Sequence, residues 1–214
     1  KFVSAREAAR LIPDGVTVIT EAEHDTAWAI ADAVAGHVPA VQMLNNATGR
    51  EVTAIWYETT PQGARVACKA RADFIGGALL GDLKTTRETE KFNARGIASV
   101  IAKFSYHYQF GWYERGFIAA AAQSGSDADY SAPTWGWVFV QSSAPYDVIA
   151  CEADDEMQDI GRWYAQSVWE TYAAALDSGE WPGVEPERVT ISLPRWAVPV
   201  DDNDDNADYL EGLS

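Results

Sequence analysis

Residues 64 to 84 read ARVACKARADFIGGALLGDLK. Apolar and polar residues alternate from Ala64 to Ile75, the two-residue period of a strand with one covered face. Gly76 and Gly77 interrupt that run, and the apolar residues of ALLGDLK begin another. Upstream, EVTAIWYE at 51–58 is rich in β-branched and aromatic residues and forms a further strand, with Pro61, Gln62 and Gly63 supplying the intervening turn. The economical arrangement is a three-stranded antiparallel meander.

Outside this meander the pattern turns helical. Residues 22 to 46 carry Ala27, Trp28, Ile30, Ala31, Val34, Val38 and Val41 on roughly helical spacing. Thr85 and Glu88 have the form of a capping box, which places a helix immediately after Lys84. A longer helix is expected over about 96–117, with Ile97, Val100, Ile101, Phe104, Tyr108 and Trp112 on one stripe and Tyr106, Gln109 and Tyr113 opposite. A polar loop at 124–131 precedes two more strands, WGWVFVQSS (135–143) and PYDVIACEA (145–153). From 154 to 177, Ile160, Trp163, Tyr164, Val168, Tyr172, Ala175 and Leu176 recur at three and four, giving a long amphipathic helix. SGEWPGVEPE ends it. The element order predicts an α/β domain with a mixed central sheet flanked by helices over 1–200. The acidic run DDNDDNADYLEGLS at 201–214 reads as a solvated, mobile tail.

Composition narrows the classes. A hydrophobic content of 47% excludes disorder for most of the chain. No apolar run approaches the ~20 residues of a membrane span, and KFVSAREAAR lacks a signal-peptide core, so a soluble cytoplasmic protein is expected. Two distant cysteines, Cys68 and Cys151, fit reduced thiols better than a disulfide framework. The net charge of −16 argues against nucleic acid as a whole-chain average. Its distribution does not: residues 64–116 hold 9 bases and 5 acids, whereas 147–214 hold 17 acids and 3 bases. A local cationic groove is compatible with that division.

Asp73, Asp82 and Lys84 carry the chemistry. Side chains two apart on a strand share a face, so Asp82 and Lys84 project together and Leu83 points into the core. Asp73, across the Gly-containing turn, reaches the same spot. Two converging carboxylates suit Mg²⁺, which takes one or two protein carboxylates plus phosphate oxygens. An Asp followed about nine residues later by Asp-x-Lys resembles the signature of PD-(D/E)XK nucleases, although the tripeptide also arises by chance on solvated strand edges. Gln109 and Tyr113, at i and i+4, lie one above the other on the helix that follows. Lys69 and Arg71 share strand parity with Asp73, and Arg87, Lys91 and Arg95 follow Lys84; the group reads as either a phosphate track or ordinary solvated charge. Trp56, Trp135 and Trp137 read as core.

Taken in order, VACKARADFIGGALLGDLKTT, YHYQFGWYERGF, PYDVIACEADDEMQDIGRWY, SGEWPGV and ISLPRWA resemble the C-terminal nuclease domain of RecE-type exonucleases (exodeoxyribonuclease VIII) over about 45–198. That family is related to lambda exonuclease and RecB nuclease domains. The resemblance implies a Mg²⁺-dependent enzyme, with Mn²⁺ as a substitute, that degrades double-stranded DNA from 5′ ends in recombination. It further implies a ring-shaped homo-oligomer and a single-strand annealing protein as partner. By resemblance Asp73 and Asp82 are metal ligands with the Leu83 carbonyl as a third, Lys84 is the catalytic lysine, and Gln109 and Tyr113 are the family's Gln-x-x-x-Tyr pair. Glu51 matches an acidic position of related exonucleases, as a second-metal ligand or an orienter of Asp73, or else is a solvated strand-start glutamate. The family's Gly-x-x-x-His motif is not found; it lies before Lys1 or is lacking, since His24 and His37 stand in different surroundings. Two other classes fit less well: a non-catalytic nuclease-fold or acidic DNA-mimic binding protein, and a PD-(D/E)XK endonuclease.

Overall fold

A computed structural model of the chain describes residues 18–87, 91–126, 130, 133–181, 183 and 188–194. The chain divides into two compact units, Lys1–Ser178 and Gly179–Ser214. The first holds all the described helices and strands; the expected boundary at 200 and the acidic tail lie outside the described residues. In order the elements are helices α1 (Glu21–Gly36) and α2 (Val38–Asn45), and strands β1 (Gly49–Thr59), β2 (Arg65–Gly76) and β3 (Leu79–Thr86). Then come helices α3 (Ala94–Lys103) and α4 (Tyr106–Ser124), strands β4 (Thr134–Gln141) and β5 (Val148–Glu152), and helix α5 (Asp155–Ser178).

The five strands form one sheet in chain order. β1, β2 and β3 make the expected antiparallel meander, β4 runs parallel to β3, and β5 returns antiparallel to β4. A parallel neighbour requires a crossover, and α3 and α4 provide it. β4 is covered on both sides, which is why TWGWVFVQ reads as nearly continuous apolar sequence. Trp135, Trp137 and Phe139 enter the larger core with Trp56, Phe110 and Phe117. Val138 points the other way, to Phe74 and Ala40 under α2. Trp56, Trp135 and Trp137 are wholly buried, as their sequence context implied; truncating any one to Ala would cost about 3–5 kcal/mol.

Four sequence expectations are corrected. The first helical stretch breaks at His37, whose Nδ1 accepts the Ala40 N–H at 3.2 Å and caps α2, with Pro39 in that helix's first turn. No helix starts immediately after Lys84: Thr85 and Thr86 continue β3, held by the parallel ladder to Val140 and Gln141. α3 starts only at Ala94, where Asn93 accepts the Gly96 N–H at 3.1 Å. The single helix expected over 96–117 is two, because Ser105 takes a left-handed φ of 56° between α3 and α4. Its uninterrupted apolar stripe is lost with it, and Phe104 is exposed.

The fourth correction concerns α5. Most of the apolar residues on the expected stripe do not face the core; Ile160, Trp163, Val168, Tyr172 and Leu176 are exposed, and the buried positions are Gln158, Gly161, Ala165, Trp169 and Ala173. The reason is the close approach of α4 and α5. A Cβ on Gly111 would collide with the Gly161 carbonyl, and one on Gly161 would collide with the His107 carbonyl and crowd the Trp135 ring at 2.7 Å. At the point of closest approach only glycine permits that separation. Glu114 on α4 fastens the crossing: it is 5% exposed, accepts Trp135 Nε1 at 2.9 Å and accepts Arg162 Nε of α5 at 3.0 Å.

Gly161→Ala should therefore lower stability by about 1–3 kcal/mol in thermal or urea denaturation. Gly36→Ala, with open space around it, should be neutral or stabilising by up to ~1 kcal/mol. Equal effects at the two sites would show that the helix crossing is not tightly packed.

Candidate active site

β2 and β3 pair only from Phe74↔Gly81 to Gly76↔Leu79. Gly81 is required there, since any Cβ would collide with the Phe74 ring. Beyond that pair β3 stays with β4 to Thr86, so the two strands part and the Leu83 N–H loses a ladder partner on the β2 side. Asp73 Oδ2 accepts that N–H at 2.8 Å. A carboxylate thus takes the place of a backbone carbonyl, and the wedge between the strands is lined with acid.

The β2 alternation slips at the same point. Ala70 and Ala72 face the larger core, then Ile75 joins that core and Phe74 the opposite one. β1 matches it: Glu51, between the pairs Arg50↔Phe74 and Val52↔Ala72, has a φ of 53°. Non-glycine residues in this region cost of order 1 kcal/mol or more, and the two slips are mutually compensating. Lys69 and Arg71 are exposed, whereas Asp73 is half-buried. Glu51 is turned outward, paired with Arg71 Nε at 3.1 Å, and does not join Asp73 and Asp82. Among the described residues no group of three or more His, Cys, Asp or Glu converges as a ligand set.

Asp82 is 3% exposed and faces α4. Lys84 projects from the same side and its ammonium contacts Asp82 Oδ2. Lys84 Nζ also donates to Gln109 Oε1 at 3.3 Å and sits 4.6 Å from the centre of the Tyr106 ring. Gln109 Nε2 in turn donates to the Tyr113 hydroxyl at 2.6 Å. The i and i+4 pairing on α4 therefore does orient the lysine, through Gln109. Leu83, expected in the core, is 41% exposed, because burial of Asp82 and Lys84 on the α4 side sends the intervening side chain to the other face.

The electrostatics are those of an acid held against its preference. Burial, and then the adjacent Asp73 carboxyl, push Asp82 up to about 7, although contact with Lys84 pulls the other way. Burial also raises the Tyr113 hydroxyl. Despite the Lys84 contact, Asp82 Oδ2 is shielded from solvent and makes no well-directed hydrogen bond. A buried carboxylate oxygen whose contact is the Lys84 ammonium, a second carboxyl beside it and, among the described residues, no imidazole or thiol make a donor set that fits a hard divalent cation such as Mg²⁺. The two thiols stand apart from this set. Burial raises the pKa of both, Cys151 to about 11, which disfavours the thiolate.

No family model matches the chain, and no curated protein matches it. Among solved structures it is similar to a candidate exonuclease from Eubacterium rectale, with a TM-score of 0.50 and 13% identity, covering 97% of this chain and 72% of that one. At that identity the likeness is one of fold: a mixed α/β sheet flanked by helices. It is also similar to SSO0001, at 16% identity and 79% coverage of each chain, but a TM-score of 0.32 carries nothing further. No described helix is long and apolar enough to cross a membrane.

Two features of the site region escaped the sequence reading. Lys103, in the last turn of α3, lines a cleft that shares Tyr106 with the site. Glu114, buried behind the site, pairs with Arg162 from 48 residues away, a distance no local pattern reports.

Because Asp82 is protonated to higher pH in the folded chain than in the unfolded one, its contribution to metal-free stability is complete below about pH 4 and lost as pH rises to about 7. Asp82→Asn should therefore be more stable than wild type at pH 8 without metal, by on the order of 1–3 kcal/mol, and the gain should shrink toward pH 5. Denaturant titrations at the two pH values check this; a gain independent of pH would contradict it.

Proposed function

We propose that this protein is a metal-dependent deoxyribonuclease of the PD-(D/E)XK kind that degrades double-stranded DNA from its ends, as RecE-type exonucleases do. The observation that carries the reading is the convergence of Asp73, Asp82 and Lys84 at the parting of β2 and β3, with Gln109 and Tyr113 behind the lysine. The shared fold of the E. rectale protein supports it. Asp73 and Asp82, with the Leu83 carbonyl, would hold Mg²⁺ or Mn²⁺. The ion supplies charge neutralisation at the phosphoryl oxygens and acidifies a bound water.

The remaining work falls to the chain's own residues. The Leu83 N–H fixes the Asp73 carboxylate, so one ligand needs little reorganisation. Lys84, held by Gln109, presents a cation beside the acids, where it can hold the attacking water and release Asp82 as its partner. Tyr113 keeps the Gln109 amide turned so that its oxygen meets the lysine. Tyr106 shields the far side of the ammonium, a cation–π contact worth about 0.5–2 kcal/mol. A single-strand annealing protein as partner and a ring-shaped oligomer belong to the same proposal, on the resemblance alone.

One observation favours a second reading, a non-catalytic binding protein on a nuclease fold: Lys84 contacts Asp82 directly, and the acids would have to give up that contact to take a metal. The assay separates the readings. Purified protein with Mg²⁺ should release nucleotides from linear duplex, leave closed circles intact and lose activity with chelator. Lys84→Ala and Asp82→Asn should each lower the rate by about 10²-fold or more. Activity equal in wild type and variants would remove the assignment. Discrete fragments from circular DNA would make it an endonuclease, and binding without cleavage would support the second reading.

A further inference from the structure

A cleft of about 580 Å³ opens between the end of β3 and one face of α3. Arg87, Lys91 and Lys103 line it, together with Thr85, Ser99 and Tyr106, and among the described residues no acid does. In a chain with 32 acidic and 16 basic residues, three cations line one cleft in which no described residue is acidic. Of the other described bases, Arg71 meets Glu51, Arg115 meets Glu58, Arg162 meets Glu114 and Lys84 meets Asp82, while Arg50, Arg65, Lys69, Arg95 and Arg188 make no ion pair among the described residues; the cleft is distinguished by gathering three cations at one place beside Tyr106. Among the described residues, Arg87, Lys91 and Lys103 meet no carboxylate at ion-pair distance; Glu88 and Glu90 lie outside those residues. Like charges held near one another raise the energy of the free protein and lower it when an anion arrives.

The cleft is also built rather than incidental. Any Cβ on Gly96 would collide with the Lys91 carbonyl, so the glycine lets residue 91 press against α3. Asn93 N–H donates to that same carbonyl at 2.9 Å while the Asn93 side chain accepts the Gly96 N–H at 3.1 Å. Lys91 is thereby fixed at the rim, and Lys103 rises from the last turn of the same helix. Tyr106 is the shared wall, lining the cleft with one part of its ring environment and facing Lys84 at 4.6 Å with another. Arg87 lies three residues beyond Lys84, about 10 Å along the chain direction of β3.

Resting on the nuclease reading above, we infer that this cleft is a phosphate subsite in which Arg87, Lys91 and Lys103 grip a backbone phosphate of the strand whose neighbouring phosphodiester lies at Lys84. The anion is either an internal phosphodiester or a phosphate monoester at a strand end; both present the same oxygens to the three cations. Guanidinium and ammonium groups together suit this, the arginine through paired N–H donors and the lysines as point charges.

The test uses the full chain carrying Arg87→Ala, Lys91→Ala and Lys103→Ala together, with Arg65→Ala at the far end of the β1–β2 hairpin as control. Binding of a fluorescent duplex is followed by anisotropy in Ca²⁺ across a salt series. The triple variant should bind at least tenfold more weakly at low salt, and its slope of log affinity against log salt should be shallower by about two to three. The control should match wild type. Wild-type protein should also gain thermal stability from inorganic pyrophosphate and the triple variant should not. Arg87→Gln and Lys103→Gln, read singly, should each reduce the slope by about one, which keeps the test sound if the triple variant folds poorly.

Comparing duplexes with phosphorylated and hydroxyl strand ends separates the two sources. A wild-type preference for the phosphorylated end that the variant loses assigns the monoester, and an equal loss on both assigns the diester. Unchanged affinity and slope in the variants would overturn the subsite while leaving nuclease activity standing. Conversely, a wild type that binds pyrophosphate through these residues but never cleaves DNA would keep the subsite and remove the nuclease.

Discussion

The parting of β2 from β3 after Phe74↔Gly81 is the constraint on which this structure turns. A sheet that stayed paired would have a backbone carbonyl of β2 facing the Leu83 N–H. Here β3 is committed to β4 along its whole length, and the vacancy is filled by the Asp73 carboxylate at 2.8 Å. The slip in β2 at Asp73 and the left-handed Glu51 opposite are the backbone adjustments that let the sheet open without losing the rest of its register. The ring of Phe74 over Gly81 holds the last closed pair in place, so the opening starts at one defined residue. Asp82 and Lys84 then hang from the free side of β3 beneath α4.

Much of this was legible in the sequence, because strands report themselves locally. The alternation in 64–75, the glycines at 76 and 77 and the Asp-x-Lys tripeptide are short-range signals, and both the meander and the Asp73, Asp82, Lys84 grouping followed from them. The pairing of Gln109 with Tyr113 was equally readable, since i and i+4 neighbours need only the helix itself. What failed was decided at longer range. Thr85 and Glu88 form a plausible cap, but the parallel ladder to β4 holds Thr85 in a strand. Ser105 is a residue for which a left-handed conformation is uncommon, and nothing beside it announces the break. Leu83 looked like core because it is apolar; the buried Asp82 overruled it.

The same lesson applies to α5, where hydrophobic periodicity pointed to the wrong face. Large apolar residues normally seek the interior, but the Gly111–Gly161 contact brings two backbones too close for them. Small residues and Trp169 fill the interface, and Glu114 with Arg162 ties it by charge. That helix pair forms the rigid back of the site: α4 carries Tyr106, Gln109 and Tyr113 toward the sheet and Gly111 and Glu114 toward α5. Residues far apart in function are thus positioned by one helix with two differently occupied sides.

Electrostatically the site is unsettled in the absence of a ligand. Asp82 is buried with one poorly satisfied oxygen, raised to about 7, and leaning on a lysine that the neighbouring glutamine also holds. Such an arrangement costs stability and is relieved by a cation with oxygen preference. The most direct measurement is a crystal structure of the chain with Mn²⁺, located by its anomalous signal. An ion should be found bound by Asp73 and Asp82, with Lys84 Nζ moved off Asp82 and still held by Gln109. An intact Lys84–Asp82 contact with no ion between the two carboxylates at saturating Mn²⁺ would contradict it.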